Sequence, residues 1–430
     1  MILYYQQGYC KIDTMIHNKF RQQNINLYIN YLLVGYAFCV PISKAGTNFF
    51  EITILLLWLF EGNWKYKLSQ YKTNPLILTF TIFLGYSLLS VFWASSISDG
   101  IDYVAKYRHF LIIAVIYTSL DKKFIKHIFS VFLLSMLISE IMSYGIFLEL
   151  WKYKNILPNN PSPFMSHMTY STILAFTSTI LLTRVFLNEN IKYKILYGVF
   201  FVSVTVNLFI NGGRTGQIIF VVLILSLFFI HIKSKLKALL LAMIILMTTL
   251  ILAYNFSKNF NIRMNILSTD ITSIVYNNNY TGSGGTRVSL WIVGYYTFID
   301  NFLIGTGINN DMKDIKNYAK EYGFNAKHMS QYGDHHNSFF TLSIKFGIIG
   351  LLISFFICYF IYKLKFKTDE YNSLNLMFII SFILFSFTHN TFHTMNAMVF
   401  FTLFAGLFNK ISNMESTDII KLNIKKEKDV

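Results

Sequence analysis

Long apolar runs recur along the chain from residue 27 to residue 409, parted by short polar connections that carry most of the lysines and arginines. Within each run the apolar positions follow one another without the alternation of a half-buried strand, so each run predicts a helix. A helix of about 20 apolar residues is long enough to cross a bilayer. A backbone surrounded by hydrocarbon must satisfy its own hydrogen bonds, which a helix does and an open strand does not. The pattern predicts an all-α polytopic membrane protein with about twelve transmembrane helices, over residues 27–43, 47–60, 75–93, 103–119, 124–149, 164–183, 195–210, 216–232, 236–254, 338–361, 374–391 and 395–409. The second and fourth runs are short and predict tilted or re-entrant neighbours.

The polar connections sort by charge. Alternate ones carry three basic residues each: Lys65, Lys67 and Lys72; Lys122, Lys123 and Lys126; Arg184, Lys192 and Lys194; Lys233, Lys235 and Lys237; Lys363, Lys365 and Lys367. The amino-terminal segment (Lys11, Lys19, Arg21) and the tail (Lys410, Lys421, Lys425, Lys426, Lys428) share the same side. Basic residues mark cytoplasmic loops, so both termini are expected in the cytoplasm. The formal net charge of +16 is then a topology signal, which argues against nucleic-acid binding. A content of 13% charged residues, against about 25% in soluble domains, excludes an ordinary soluble fold. Three cysteines (Cys10, Cys39, Cys358) in apolar settings predict neither a disulfide framework nor a zinc site. The first 26 residues are polar and basic, with no cleavable signal pattern. The expected division is a cytoplasmic segment 1–26, nine spans within 27–254, one large outer segment 255–337, three spans within 338–409, and a cytoplasmic tail 410–430.

The outer segment is where chemistry concentrates. Its stretch YNNNYTGSGGTR (276–287) leads into the aromatic run 288–305, which predicts an interfacial helix with Trp291, Tyr295 and Phe298 toward lipid or core. Three basic residues face this compartment. Arg214 lies in NGGRTG (211–216), Arg287 in GSGGTR (282–287), and His336 at the mouth of the tenth span, in DHHNSFFTLSIKFGIIG (334–350). Glycines before both arginines let backbone and ligand approach closely. A guanidinium is a permanently charged fork suited to phosphate oxygens, so the pair can grip a diphosphate whose lipid tail stays in the bilayer. Each feature also has a plainer reading: arginines at headgroups, Gly-Gly as a helix stop, Gly347 and Gly350 as packing contacts, and Asn337 or Ser338 as a helix cap with Asp334 at the positive end of its dipole. Arg108 is a further candidate for the anion site, His335 and Asn337 for orienting His336, and the proline-stiffened 156–167 segment, ending at His167, for a gate. His389 and His393 lie four apart without a carboxylate or cysteine partner, which favours hydrogen bonding over metal binding. GTG (305–307) lacks the lysine of a phosphate loop.

These residues together resemble the O-antigen ligase family, which shares a membrane domain with the O-antigen polymerases. The resemblance rests on His336-Asn337, nine residues, then Gly347-x-x-Gly350, with GGRTG at Arg214, GGTR at Arg287 and GTG at 305 in the family's order. It implies a fold similar to the C-type glycosyltransferases. It also implies transfer of a polysaccharide from an undecaprenyl-diphosphate-linked donor to a sugar of a lipid A-core acceptor, on the periplasmic face of the bacterial inner membrane. That reaction needs no nucleotide, cofactor or required metal, and has membrane lipid as its surroundings. On this reading His336 is the base and Arg214 and Arg287 hold the diphosphate. The polymerases' Arg-x10-Gly pattern is missing: the residues eleven after Arg214, Arg263 and Arg287 are Leu225, Ile274 and Phe298. This favours the ligase over an O-antigen polymerase acting on the same lipid-linked donor, which is the first alternative; a protein-glycosylating ligase and a transporter are further ones. A transporter would place paired charges near the membrane midplane and broken helices in symmetric halves; the sequence offers neither, although Glu51 and Glu140 lie in or near spans.

Overall fold

A computed structural model describes residues 22–428 apart from 311, 313, 314 and 330. Cys10, Lys11, Lys19, Arg21, Asp311 and Asp314, and the side chains of Lys421, Lys425, Lys426 and Lys428, lie outside the described residues. No strand occurs among the described residues. In chain order the main helices are α1 (22–39), α2 (Lys44–Glu61), α3 (Pro75–Leu89), α4 (Leu111–Ser119), α5 (Lys122–Phe147), α6 (His167–Leu187), α7 (Ile191–Ile210), α8 (Arg214–His231), α9 (Lys235–Phe256), α10 (Lys258–Asn277), α11 (Ser283–Asp300), α12 (Ser338–Tyr362), α13 (Asp369–Thr388) and α14 (Met395–Lys428).

Helix starts are set by short polar caps. Asn74, Ser166, Asn190, Ser234, Ser257 and Asn337 each accept a first-turn backbone N–H through the side chain, satisfying a donor that the helix itself leaves open. Pro75 follows Asn74 at the first helical position, where its missing N–H costs nothing.

Among the described residues, nine helices are long and apolar enough to cross a membrane, and they coincide with nine of the twelve expected spans. The chain is an all-helical polytopic membrane protein. The other three expected spans are helical but shorter or more polar. They are α1, α2, and a broken rod that runs from Ile97–Ala105 through a 3-10 turn, Lys106–Phe110, into α4. Buried shares of 78% for α6 and 94% for α14, against 22% for α9, put the first two on the bundle axis and the last on its outside. Phe176 of α6, Phe378 of α13 and Phe400 and Phe404 of α14 interlock there edge to face, an arrangement favoured by the ring quadrupole.

The 255–337 segment differs from the expectation of one interfacial helix in a polar loop. It holds two full helices, α10 and α11, and two short ones, Ile315–Glu321 and Ala326–Met329. Leu290, Val293, Ile315, Ala319 and Met329 give it a small apolar core of its own. Trp291 faces this protein interior, stacked on Phe340, whereas Tyr295 is exposed.

One junction ties this segment to the spans. Gly347 breaks α12 with φ 63° and ψ −148°, a conformation open essentially to glycine alone. The stretch 301–307 threads into the gap. Ile348 N donates to Phe302 O at 2.7 Å, Thr306 N to Ile344 O at 2.8 Å, and Gly307 N to Lys345 O at 3.0 Å. The broken helix therefore trades its lost internal bonds for bonds to the GTG strip. A Cβ on Gly347 would lie 2.6 Å from the Leu303 carbonyl carbon, and one on Gly305 2.3 Å from that of Lys345. Gly347→Ala is expected to destabilise the purified protein by about 2 kcal/mol or more, seen as a lower unfolding midpoint in detergent. Gly85→Ala, where an added Cβ meets nothing within 4 Å, is the control and should leave the midpoint in place.

Candidate functional site

His336 owes its position to Asp334. The backbone N–H of His336 donates to Asp334 Oδ1 at 2.6 Å, an Asx turn that steadies His336 at φ 48°. A left-handed backbone costs a non-glycine residue about 1–2 kcal/mol, so the turn holds the imidazole where relaxed chain would not. Nδ1 sits 3.3 Å from the same carboxylate oxygen, and the Tyr332 ring lies edge-on to the imidazole at 5.3 Å. Neighbouring residues lock this corner. His335 is wholly buried and its carbonyl accepts from Trp291 Nε1 at 3.1 Å. Asn337 caps α12 by accepting from Phe340 N at 3.1 Å. Ser338 Oγ donates to His389 O at 2.9 Å.

Arg214 is the first residue of α8. Close seating of α8 on α6 requires the glycines around it: a Cβ on Gly213 would fall 2.1 Å from Ser171 Oγ, and one on Gly216 2.2 Å from the Ser171 carbonyl carbon. The turn before it is pinned by the 156–167 segment, because Gly212 N donates to Asn160 Oδ1 at 3.1 Å and Asn211 Nδ2 to Ser162 Oγ at 2.6 Å. Ser143 in turn donates to Pro161 O at 2.6 Å. The segment expected to be a gate is thus a brace. The Arg214 guanidinium donates to Ser283 Oγ at 3.3 Å, at the head of α11. Arg287 projects from the next turn of α11, with Nη2 3.5 Å from the Met168 sulfur.

Electrostatics connect these groups. Burial, and after it the charge of Arg214, hold Arg287 below the ordinary arginine range, against the pull of Tyr332 and Asp334. Burial lowers the His336 pKa, Asp334 raises it and Arg287 lowers it again, with a net fall. The imidazole is therefore neutral at pH 7 and able to accept a proton. The charged neighbours of His389 are Asp334, His336, Arg287 and His393. Those of His167 are Arg263, Arg287 and Arg214. Segments from α6, α8, α10, α11, the mouth of α12 and the end of α13 thus meet at one end of the bundle.

Arg108 stands apart from this group. It pairs with the fully buried Glu51 at 3.3 Å and donates to Asn48 Oδ1 at 2.8 Å, while His109 Nδ1 lies 2.5 Å from the other Glu51 oxygen. Its charge is spent on a buried carboxylate, which removes it as a candidate for the anion site. His389 Nε2 lies 3.0 Å from Thr394 Oγ1 and His393 Nδ1 2.8 Å from Tyr103 OH, so each makes a hydrogen bond. The GTG amides at 306 and 307 are already bonded to Ile344 and Lys345, which leaves none of the free donors a phosphate loop needs. Sequence reasoning missed Arg263, because no glycine precedes it and nothing local marks its helix.

Fold and site define a polytopic helical membrane protein with a cluster of cations beside a neutral imidazole at one end of its bundle. Residues 198–355, which contain Arg214, Arg287 and His336, match the family model Wzy_C, O-Antigen ligase. Over that span the chain is similar to the O-antigen ligase family, whose type of activity is polysaccharide ligation in lipopolysaccharide synthesis. A comparison with curated proteins gave no match.

Replacing Asp334 separates its two effects. Asp334→Asn keeps a side-chain acceptor for the turn and is expected to retain most ligation. Its acid limb in the pH–rate profile should move to lower pH, because the group that raises the His336 pKa has lost its charge. Asp334→Ala loses the turn and should cut the rate tenfold or more, by roughly the 1–2 kcal/mol of the left-handed backbone. Identical profiles for both variants and the unaltered protein would contradict this account.

Proposed function

We propose that the chain is an O-antigen ligase that transfers a polysaccharide from undecaprenyl diphosphate to a sugar of the lipid A-core, at the periplasmic face of the bacterial inner membrane with both termini in the cytoplasm. The observation that carries this reading is the meeting of Arg214, Arg287 and a neutral His336 at one bundle end, from three separate parts of the chain. The leaving group is a lipid diphosphate, so the donor is already activated. Arg214 and Arg287 grip its oxygens and offset the charge that grows on them as the bond to the sugar breaks. The acceptor hydroxyl attacks the anomeric carbon from the opposite side, which inverts the configuration, and His336 takes its proton. With Nδ1 turned to Asp334, Nε2 is the nitrogen that receives it. His335 and Asn337 position this imidazole without meeting substrate. The basic connections at the far end of the bundle, such as Lys122, Lys123 and Lys126, support the assignment of that end to the cytoplasm.

The test is a glycolipid gel of a strain lacking the chain, complemented with variants. The deletion should show core lipid without polymer while lipid-linked polymer accumulates. His336→Ala should insert normally and fail to restore ligation. Arg287→Lys, which keeps charge and loses the fork, should fall at least tenfold, in line with about 1.5–3 kcal/mol for a charge-assisted hydrogen bond. Wild-type ligation by His336→Ala would end the base assignment, and core bearing a single repeat unit in the deletion would indicate a polymerase.

A further inference from the structure

A third arginine reaches the same place by a route of its own. The helix α10 is fastened at two points. Ser257 caps its start and donates to Phe209 O at 2.9 Å, and the buried Phe260 packs edge-on to Phe209 at 5.6 Å. Phe209 lies just ahead of the NGGR turn that carries Arg214. Further along, the buried Asp270 accepts from Gly284 N at 2.8 Å, in the first turn of α11, one turn before Arg287. Positions 260, 263, 267 and 270 recur at helical spacing and share one face. Arg263 therefore lies between the two anchors, on the face that α10 turns toward the turn bearing Arg214 and the turn bearing Arg287. It is the foremost charged neighbour of both Arg214 and His167. It has no carboxylate partner among the described residues. Asp270 and Asp334 are the carboxylates named beside Arg214 and Arg287, so three guanidiniums face two carboxylates. Like charges this close repel unless an anion lies between them.

We propose that Arg263 is a third phosphate-gripping residue, reaching the diphosphate of the lipid-linked donor from the side of α10. This rests on the ligase reading above. Two anionic oxygen sets can enter such a site, the donor's diphosphate and any phosphate on the acceptor lipid. The donor is preferred because Arg263 adjoins Arg214 and His167, whereas the charged neighbours of His336, beside which the acceptor hydroxyl must sit, are Asp334 and Arg287.

The experiment uses the full-length protein in lipid nanodiscs with undecaprenyl-diphosphate-linked glycan as donor, and with free undecaprenyl diphosphate and undecaprenyl monophosphate as inhibitors. Arg263→Gln is expected to raise KM for the donor about tenfold, the size of one charge-assisted hydrogen bond, with kcat within about twofold. It should weaken inhibition by the diphosphate more than by the monophosphate. Arg263→Lys should fall between, and an unfolding midpoint no lower than that of the unaltered protein for either variant shows that the effect is on binding. A rise in KM for the acceptor in place of the donor overturns the donor assignment. Wild-type KM and inhibition for Arg263→Gln, with Arg214→Gln and Arg287→Gln impaired, overturns the inference and leaves the two-arginine site standing. If none of the three changes donor binding, the ligase reading itself fails.

Discussion

Guanidinium groups of like charge, half-buried at one end of a membrane bundle, repel one another, and the backbone around them prevents their escape. Arg214 is fixed because α8 is seated on α6 through Gly213 and Gly216, where no side chain would fit. Arg287 is fixed because the head of α11 is tied to Asp270. Charge held in this way is unfavourable in the empty protein and favourable once an anion of matching shape arrives. On the proposed reading the site is thus prepared in advance of its ligand, and little rearrangement is left for the moment of reaction.

The imidazole is prepared by a different device. His336 stands on a strained turn held by Asp334, just ahead of a helix cap and eleven positions before a helix break. The break at Gly347 is what lets the 301–307 strip enter α12, and that strip continues directly from α11. The helix bearing Arg287 and the helix opening at His336 are therefore one mechanical unit. The spacing from His336-Asn337 to Gly347-x-x-Gly350 acquires a physical meaning from this: it measures the distance from the proposed base to the junction that anchors it.

What was legible in the chain follows from how local each signal is. The apolar runs showed nine spans to within a few residues, because a helix in hydrocarbon is specified by its own length and composition. Arg214, Arg287 and His336 stood out as candidates because glycines or caps stand beside them in sequence. Arg108 carried the same outward charge but was misjudged, since Glu51, its partner, is 57 residues away on α2. Arg263 was passed over for the converse reason: its place depends on Phe260 meeting Phe209 and on Asp270 meeting Gly284, contacts that no spacing announces. The helix α10 was missed although Phe260, Met264, Leu267, Ile271 and Ile274 recur at helical spacing, because the polar residues between them break the continuous run of a span.

The account turns on charge held in readiness for a lipid diphosphate, and thermal unfolding of the purified protein with and without undecaprenyl diphosphate measures that directly. Burial and Arg214 disfavour the charge on Arg287, so Arg287→Gln should raise the midpoint of the ligand-free protein and abolish the further rise that undecaprenyl diphosphate produces in the unaltered chain. A lower ligand-free midpoint for Arg287→Gln, together with an undiminished response to the lipid, would contradict it.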